Sequence, residues 1–182
     1  LRRSSAASDV YKRQDLMSKK LKNTKISVGS QNCHEKEDYG PYTGSVSCSM
    51  LKNVGAKYVI IGHSEVRQSG ESNELINQKI QTAIKSGLKV IFCVGETIQQ
   101  KRKKLTKKVL SKQIKLGLSK IKNKKTIIIA YEPVWAIGTG LVPSPEELVS
   151  IFKYIRDTVS KFDKKYASIQ ILYGGSVTPD NA

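Results

Sequence analysis

Acidic residues are scarce in this sequence: 15 Asp plus Glu stand against 32 Lys plus Arg in 182 residues, a formal charge of +17. Cysteine is scarcer still. Cys33, Cys48 and Cys93 lie far apart, odd in number and without a C-x-x-C pair. That excludes a disulfide framework and a zinc knuckle, and it suits a reducing, cytoplasmic setting. Long hydrophobic runs are missing as well: the longest reach about five residues, near Val59 and Ile127, where a membrane span needs roughly 18. No signal-peptide core precedes them, so a soluble chain without a membrane partner is expected. The length and an apolar content near the globular norm fit one ordinary domain and exclude wholesale disorder or a collagen-like chain.

The positive charge is concentrated, because Lys101–Lys125 holds twelve basic residues and no acidic one. Leu105, Val109, Leu110, Ile114, Leu118 and Ile121 recur there at helical spacing, so the stretch reads as one amphipathic helix with its lysines in water. A nucleic-acid footprint would call for stacking aromatics and arginines. The stretch has no aromatic residue and eleven Lys to one Arg, and no nucleic-acid partner is expected.

Apolar runs at Ile26–Val28, Tyr58–Ile61, Val90–Val94, Thr126–Ala130 and Ile169–Tyr173 predict five strands without in-out alternation, as in a parallel sheet covered on both faces. Helical patterns fall between them at Ser47–Asn53, Asn73–Ser86, the basic stretch and Glu146–Phe162. The last is the best punctuated: Ser144 offers an N-cap, Pro145 a first helical residue and Glu147 the carboxylate of a capping box. Such alternation means βα units, and therefore a doubly wound sheet or a (β/α)8 barrel. Leu1–Gln14 carries no periodic pattern and reads as a transit peptide, a disordered tail or a sequence-assembly scar. The scar is favoured because Leu1 is no initiator. Thr178, Pro179 and Asp180 look like the start of a further helix.

In parallel α/β proteins the chemistry sits at the carboxyl ends of the strands. Those ends carry Gln31 and Asn32; His63, Ser64 and Glu65; Gly95 and Glu96; Glu132; and Gly174, Gly175 and Ser176. Glu132 follows a buried run, where desolvation makes a carboxylate a useful base, and a salt-bridged surface Glu is the plain alternative. His63 is a candidate acid, base or hydrogen-bond donor, or simply a structural His. Gly174-Gly175-Ser176 offers backbone N–H groups to an anion, although glycine pairs also make plain turns. Pro133–Gly140 is apolar for a surface loop and reads as a hinged lid or as a loop packed on its own domain.

Tyr58–Glu65 (YVIIGHSE), Ala130–Gly140 (AYEPVWAIGTG) and Leu172–Val177 (LYGGSV) closely resemble the triose-phosphate isomerase family, in its own order and spacing. Gln31-Asn32-Cys33 and Cys93-Val94-Gly95-Glu96 match that family's third and fifth strand ends. The resemblance spans about Asp15 to Ala182 and implies a domain over 15–182, with 1–14 outside it. It implies a (β/α)8 barrel, here incomplete, holding roughly strands three to seven and lacking strands 1, 2 and 8. It also implies interconversion of dihydroxyacetone phosphate and glyceraldehyde 3-phosphate through an enediolate, in glycolysis and gluconeogenesis, with no metal or organic cofactor.

The family is a standard illustration of paired acid and base groups. On the resemblance Glu132 is the base, neutral His63 polarises the carbonyl and Glu65 assists. Pro133, Val134, Trp135, Ala136, Ile137, Gly138, Thr139 and Gly140 form the lid, with Glu96 at its hinge beside Trp135 and Tyr173 as its latch. Backbone N–H groups of Gly138 and Ser176 take the phosphate, helped by Gly174 and Gly175. Tyr39–Gly44 resembles the family's interface loop, with Thr43 as the residue inserted into a partner subunit, so a homodimer is expected for the full-length protein.

Three departures stand out. The family's first-strand Asn-x-Lys motif has no counterpart, since Asn23-Thr24-Lys25 lies just before the third strand; the glycine pair of the eighth strand is also absent. Ser45 and Val66 replace the usual acidic residue and arginine of the interface. An electrostatic contact to developing charge is worth about 3 kcal/mol, so an inactive fragment is the alternative expectation.

Overall fold

The computed structural model describes residues 13–122, 125–162, 164–166 and 168–179. Most of Leu1–Gln14 and the residues from Asp180 onward lie outside that set. Among the described residues β1 (Gly29–Ser30), β2 (Tyr58–Ile61), β3 (Lys89–Val94), β4 (Ile127–Tyr131) and β5 (Ile171–Tyr173) form one parallel sheet in the order β1-β2-β3-β4-β5. A doubly wound sheet reverses direction at a switch point. Here every crossover steps one strand the same way, which is the winding of a (β/α)8 barrel. The five strands do not close on themselves, so the architecture is an incomplete barrel.

Seven α-helices accompany the strands among the described residues: α1 (Gln14–Lys20), α2 (Cys48–Asn53), α3 (Ser64–Gln68), α4 (Asn73–Lys85), α5 (Ile98–Arg102), α6 (Thr106–Gly117) and α7 (Pro145–Ser160). Ser47, Ser72 and Ser144 cap α2, α4 and α7 by accepting a backbone N–H, and Thr97 with Gln100 makes a full capping box on α5. The box expected at Ser144 is only half formed. Glu147 lends its N–H to Ser144 Oγ, but its carboxylate turns to Lys101 Nζ at 2.7 Å, where it meets a full positive charge.

Three further expectations need correction. The basic stretch is two helices, because Lys104 takes φ 57° and ends the first turn before Leu105. α6 then stops at Gly117, well short of Lys125, where Asn77 Nδ2 caps the carbonyls of Gly117 and Ser119 at 2.8 and 2.9 Å. The first strand pairs at Gly29–Ser30 instead of Ile26–Val28; Ile26 is exposed, and the ladder begins where Gly29 meets Tyr58. α1 and α3 were not anticipated at all.

The two faces of the sheet differ. Val59 and Ile61, Val90, Phe92 and Val94, and Ile127, Ile129 and Tyr131 are buried together with Leu51, Ile76, Ile80, Leu110, Ile114, Ile151 and Ile155 of the helices. Side chains alternate along a strand, so the intervening Ile60, Ile91 and Ile128 lie on the other face, where they are only half-buried. Apolar-throughout strands thus carry one sealed face and one partly open one. Gly117 lets α6 touch the sealed face: a Cβ there would come within 2.4 Å of Phe92 Cζ.

Candidate active site

Glu132 follows β4 directly and keeps the parity of Ile128 and Ala130, so it belongs to the open, concave side. Its backbone is fixed from both neighbours: its N–H donates to Val94 O, and Gly174 N–H donates to Tyr131 O, both at 2.8 Å. Gly95 packs against the same peptide so tightly that a Cβ would stand 1.9 Å from Glu132 O. No residue but glycine fits there.

The Glu132 carboxylate is buried and doubly engaged. Ser64 N–H donates to Oε2 at 3.1 Å, and His63 Nε2 lies 2.7 Å from Oε1. On the other side of the imidazole, Glu65 N–H donates to His63 Nδ1 at 3.3 Å. An Nδ1 that accepts a backbone N–H carries no proton, so the neutral ring has its hydrogen on Nε2, aimed at Glu132. The Glu132 hydrogen bond raises the His63 pKa above 6.5, with burial opposing it. These two features pull apart, one favouring imidazolium and the other the neutral Nε2–H tautomer, and the backbone bond fixes which nitrogen holds the proton in the neutral state. Glu65 itself is exposed, its carboxylate 3.9 Å from Nδ1.

Arg67 was not singled out from sequence, yet it braces this corner. Its Nε donates to Gly62 O at 2.7 Å, Nη2 to Cys93 O at 3.1 Å and Nη1 to Asn73 Oδ1 at 2.8 Å. The guanidinium therefore ties the turn that carries His63 to the end of β3. Only its position one turn beyond His63 hinted at this.

The Pro133–Gly140 segment begins with a 3₁₀ turn at Val134–Ala136 and is held at both ends. Glu96, fully buried, accepts from Trp135 Nε1 at 2.9 Å and from the Tyr131 hydroxyl at 3.2 Å; burial first, and then the Glu96 carboxylate, push the Tyr131 pKa up. Val134 N–H also donates to Glu96 O at 3.0 Å, and Lys101 Nζ sits 3.6 Å above the Trp135 ring. At the far end Ser176 donates to Ala136 O twice, from Oγ at 2.7 Å and from its N–H at 3.2 Å. Gly138 and Gly140 take φ +66° and +78° and have open space where a Cβ would stand. The hydroxyl of Tyr173, the residue expected as a latch, is buried beneath Gly175 with no hydrogen-bond partner among the described residues. Ser176 N–H, expected to take the phosphate, donates here to Ala136 O. Thr43 is exposed on its loop. The structure thus gathers Glu132, His63 and Ser64 into one contact network and Glu96, Trp135 and Tyr131 into another.

Among the described residues no helix is long and apolar enough to cross a membrane. A singly wound parallel sheet with a carboxylate and an imidazole paired at its carboxyl edge defines a barrel enzyme equipped for proton transfer. The chain matches the family described as triosephosphate isomerase over residues 9–182. It is 47% identical over 165 residues to a triosephosphate isomerase of Thermodesulfovibrio yellowstonii, covering 90% of this chain and 67% of that protein. It is 45% identical over 175 residues to one from Chlorobium luteolum, covering 94% and 70%. The crystal structure of triosephosphate isomerase from Bartonella henselae superposes with a TM-score of 0.85 at 38% identity, covering 93% of this chain and 69% of that one. The chain belongs to the triosephosphate isomerase family.

Proposed function

We propose that this site interconverts dihydroxyacetone phosphate and glyceraldehyde 3-phosphate in the cytoplasm, as a step of glycolysis and gluconeogenesis. The observation that carries the reading is the His63–Glu132 pair, with the imidazole hydrogen on Nε2 and the carboxylate buried beside it. Glu132 takes the proton from the carbon next to the carbonyl and returns it to the neighbouring carbon. His63 Nε2–H stabilises charge on the two substrate oxygens as the enediolate forms. Burial keeps water from competing for the carboxylate. Glu65 lends its N–H to His63 and so fixes the tautomer. The substrate phosphate displaces Ala136 O from Ser176 N–H and gathers the N–H groups of Gly138, Gly174 and Gly175, so phosphate binding itself releases the lid to close. A homodimer using Thr43 belongs to the same reading, and sedimentation of the chain tests it.

The deciding experiment is turnover of glyceraldehyde 3-phosphate by the 182-residue chain, with Glu132→Gln beside it to expose contaminating host enzyme. Turnover by the wild type alone supports the reading. Silence from both favours the second reading, that these residues need the family's first-strand lysine and eighth-strand glycines, neither of which this sequence contains.

A further inference from the structure

We propose that the groove between α6 and α7 binds an acidic peptide segment of a partner protein, one that carries an apolar residue beside its carboxylates. The isomerase site uses none of the groove residues, and the proposal does not depend on that reading. The groove is a shallow cavity of about 490 Å³, bordered by Lys108, Ser111, Lys112, Lys115 and Leu116 of α6 and by Tyr154 of α7. The three lysines are exposed, while Leu116 and Tyr154 are half-buried. An apolar floor therefore lies beneath a rim whose charges all have one sign.

Helix physics disfavours this arrangement. Lys108, Lys112 and Lys115 follow one another at steps of four and three residues, so like charges line one face of α6. Lys107 and Lys108 also fall in the first turn, at the positive end of the helix dipole, and that turn has no acidic residue. Neighbouring elements give no relief: among the described residues none of these four lysines meets a carboxylate, and Lys107 sits instead 5.5 Å from the centre of the Tyr154 ring. Lys101 differs, since Glu147 already neutralises it. An unpaired cationic rim is complementary to a partner that brings the missing acids.

The groove suits carboxylates better than a nucleic-acid backbone. It holds no arginine, whose fork matches phosphate, and its one aromatic ring carries Lys107 over it in place of a base. Spacing fits an extended peptide. From Lys108 to Lys112 the helix rises about 6 Å, and two residues of an extended chain advance roughly 6.6 Å. Alternate residues of the partner thus set two carboxylates over Lys108 and Lys112, and the next residue on that side reaches Leu116, one further step of four along α6. An apolar side chain belongs there.

The test is an NMR titration of the isotope-labelled whole chain with a synthetic peptide, Glu-Ser-Glu-Ser-Leu flanked by serines, at about 0.05 M salt, where exposed charges are weakly screened. Saturable amide shifts are expected at Lys108, Lys112, Leu116 and Tyr154, with affinity falling several-fold when the peptide's leucine is replaced by serine. Lys108→Glu together with Lys112→Glu is expected to weaken binding by at least about ten-fold. Both positions are exposed, and Lys108→Glu puts an acid where the dipole favours one, so the helix survives. Lys22→Glu with Lys25→Glu makes the same change in net charge at exposed positions outside the groove and is expected to leave affinity little changed. Absence of saturable shifts, an equal loss from the Lys22 and Lys25 reversal, indifference to the leucine, or tighter binding of a single-stranded DNA of equal charge would overturn the proposal.

Discussion

His63 Nε2 and Glu132 Oε1 meet at 2.7 Å across the edge of the sheet, so the two groups proposed as electrophile and base are paired with each other. Removing the charge of Glu132 while keeping its shape isolates the base. Glu132→Gln can still accept from Ser64 N–H, so the fold survives. The loss of general-base catalysis is expected to lower kcat by about 10² to 10⁴-fold. Steady-state kinetics on material with unchanged circular dichroism checks this; a variant that keeps a tenth of wild-type kcat rules Glu132 out as the base.

The same contact makes stability depend on pH. Folding raises the His63 pKa above 6.5, chiefly through Glu132, so folding favours the protonated ring. A group with a raised folded pKa contributes fully below its unfolded value and loses that contribution as pH climbs through the folded one. The stability gap between wild type and His63→Gln is therefore expected to be widest at and below about pH 6 and to narrow as pH rises through the raised folded pKa, with carboxylates ionised throughout. Urea unfolding across that window reads it, and a gap that widens with pH contradicts the pairing.

Two glycines separate crowding from strain. At Gly95 a Cβ would stand 1.9 Å from Glu132 O, so Gly95→Ala must push the end of β4 aside. A cost of at least about 2 kcal/mol is expected, with loss of turnover, because backbone cannot give way as a flexible side chain does. At Gly138 nothing stands within 4 Å, but φ is +66°, so alanine there costs only about 1 kcal/mol. Chemical denaturation of both variants side by side is the measurement; equal costs would show that Gly95 is not crowded.

Arg67 offers a test of positioning. Arg67→Met keeps most of the stem but removes the donors to Gly62 O, Asn73 and Cys93 O, freeing the turn that aims His63. The expected outcome is a kcat lowered by about ten-fold or more with KM little changed, since misplacement of a reacting group is felt in the transition state. A change confined to KM would assign Arg67 to substrate binding instead.

Much of this was legible in the chain. β2 matched its apolar run residue for residue, β3 gained one residue at its start and β4 moved one residue along at both ends, because a parallel strand buried on one face and half-buried on the other reads as continuous Ile and Val. Glu132, His63 and Glu96 announced themselves by standing where such runs end. What escaped had non-local causes. Nothing local to Lys104 foretells φ 57°, the cap on α6 comes from Asn77 on another helix, and Arg67 works through carbonyls of the turn after β2 and of β3. Glu147 left its expected capping role because Lys101 reached it across the fold. Spacing shows where a side chain starts and not which distant partner it finds.

The cluster around Glu96 yields the last prediction. Glu96 is fully buried and serves two side-chain donors, Trp135 Nε1 and the Tyr131 hydroxyl, while Lys101 covers the Trp135 ring and pairs with Glu147. Glu96→Ala strands both donors away from water, which costs about 1–3 kcal/mol for each buried group left unpaired. Glu96→Gln keeps an acceptor oxygen for Trp135 and is expected to lose less. Lys101→Met retains apolar cover on the ring but removes the cation and the ion pair, so its stability change is expected within about 1 kcal/mol. The order Ala worse than Gln, and Gln worse than Lys101→Met, follows from burial alone. Tryptophan fluorescence reports the site directly, because Trp135 is the only tryptophan in the chain. If Glu96→Ala leaves both the emission and the unfolding midpoint unchanged, Glu96 does not hold the lid.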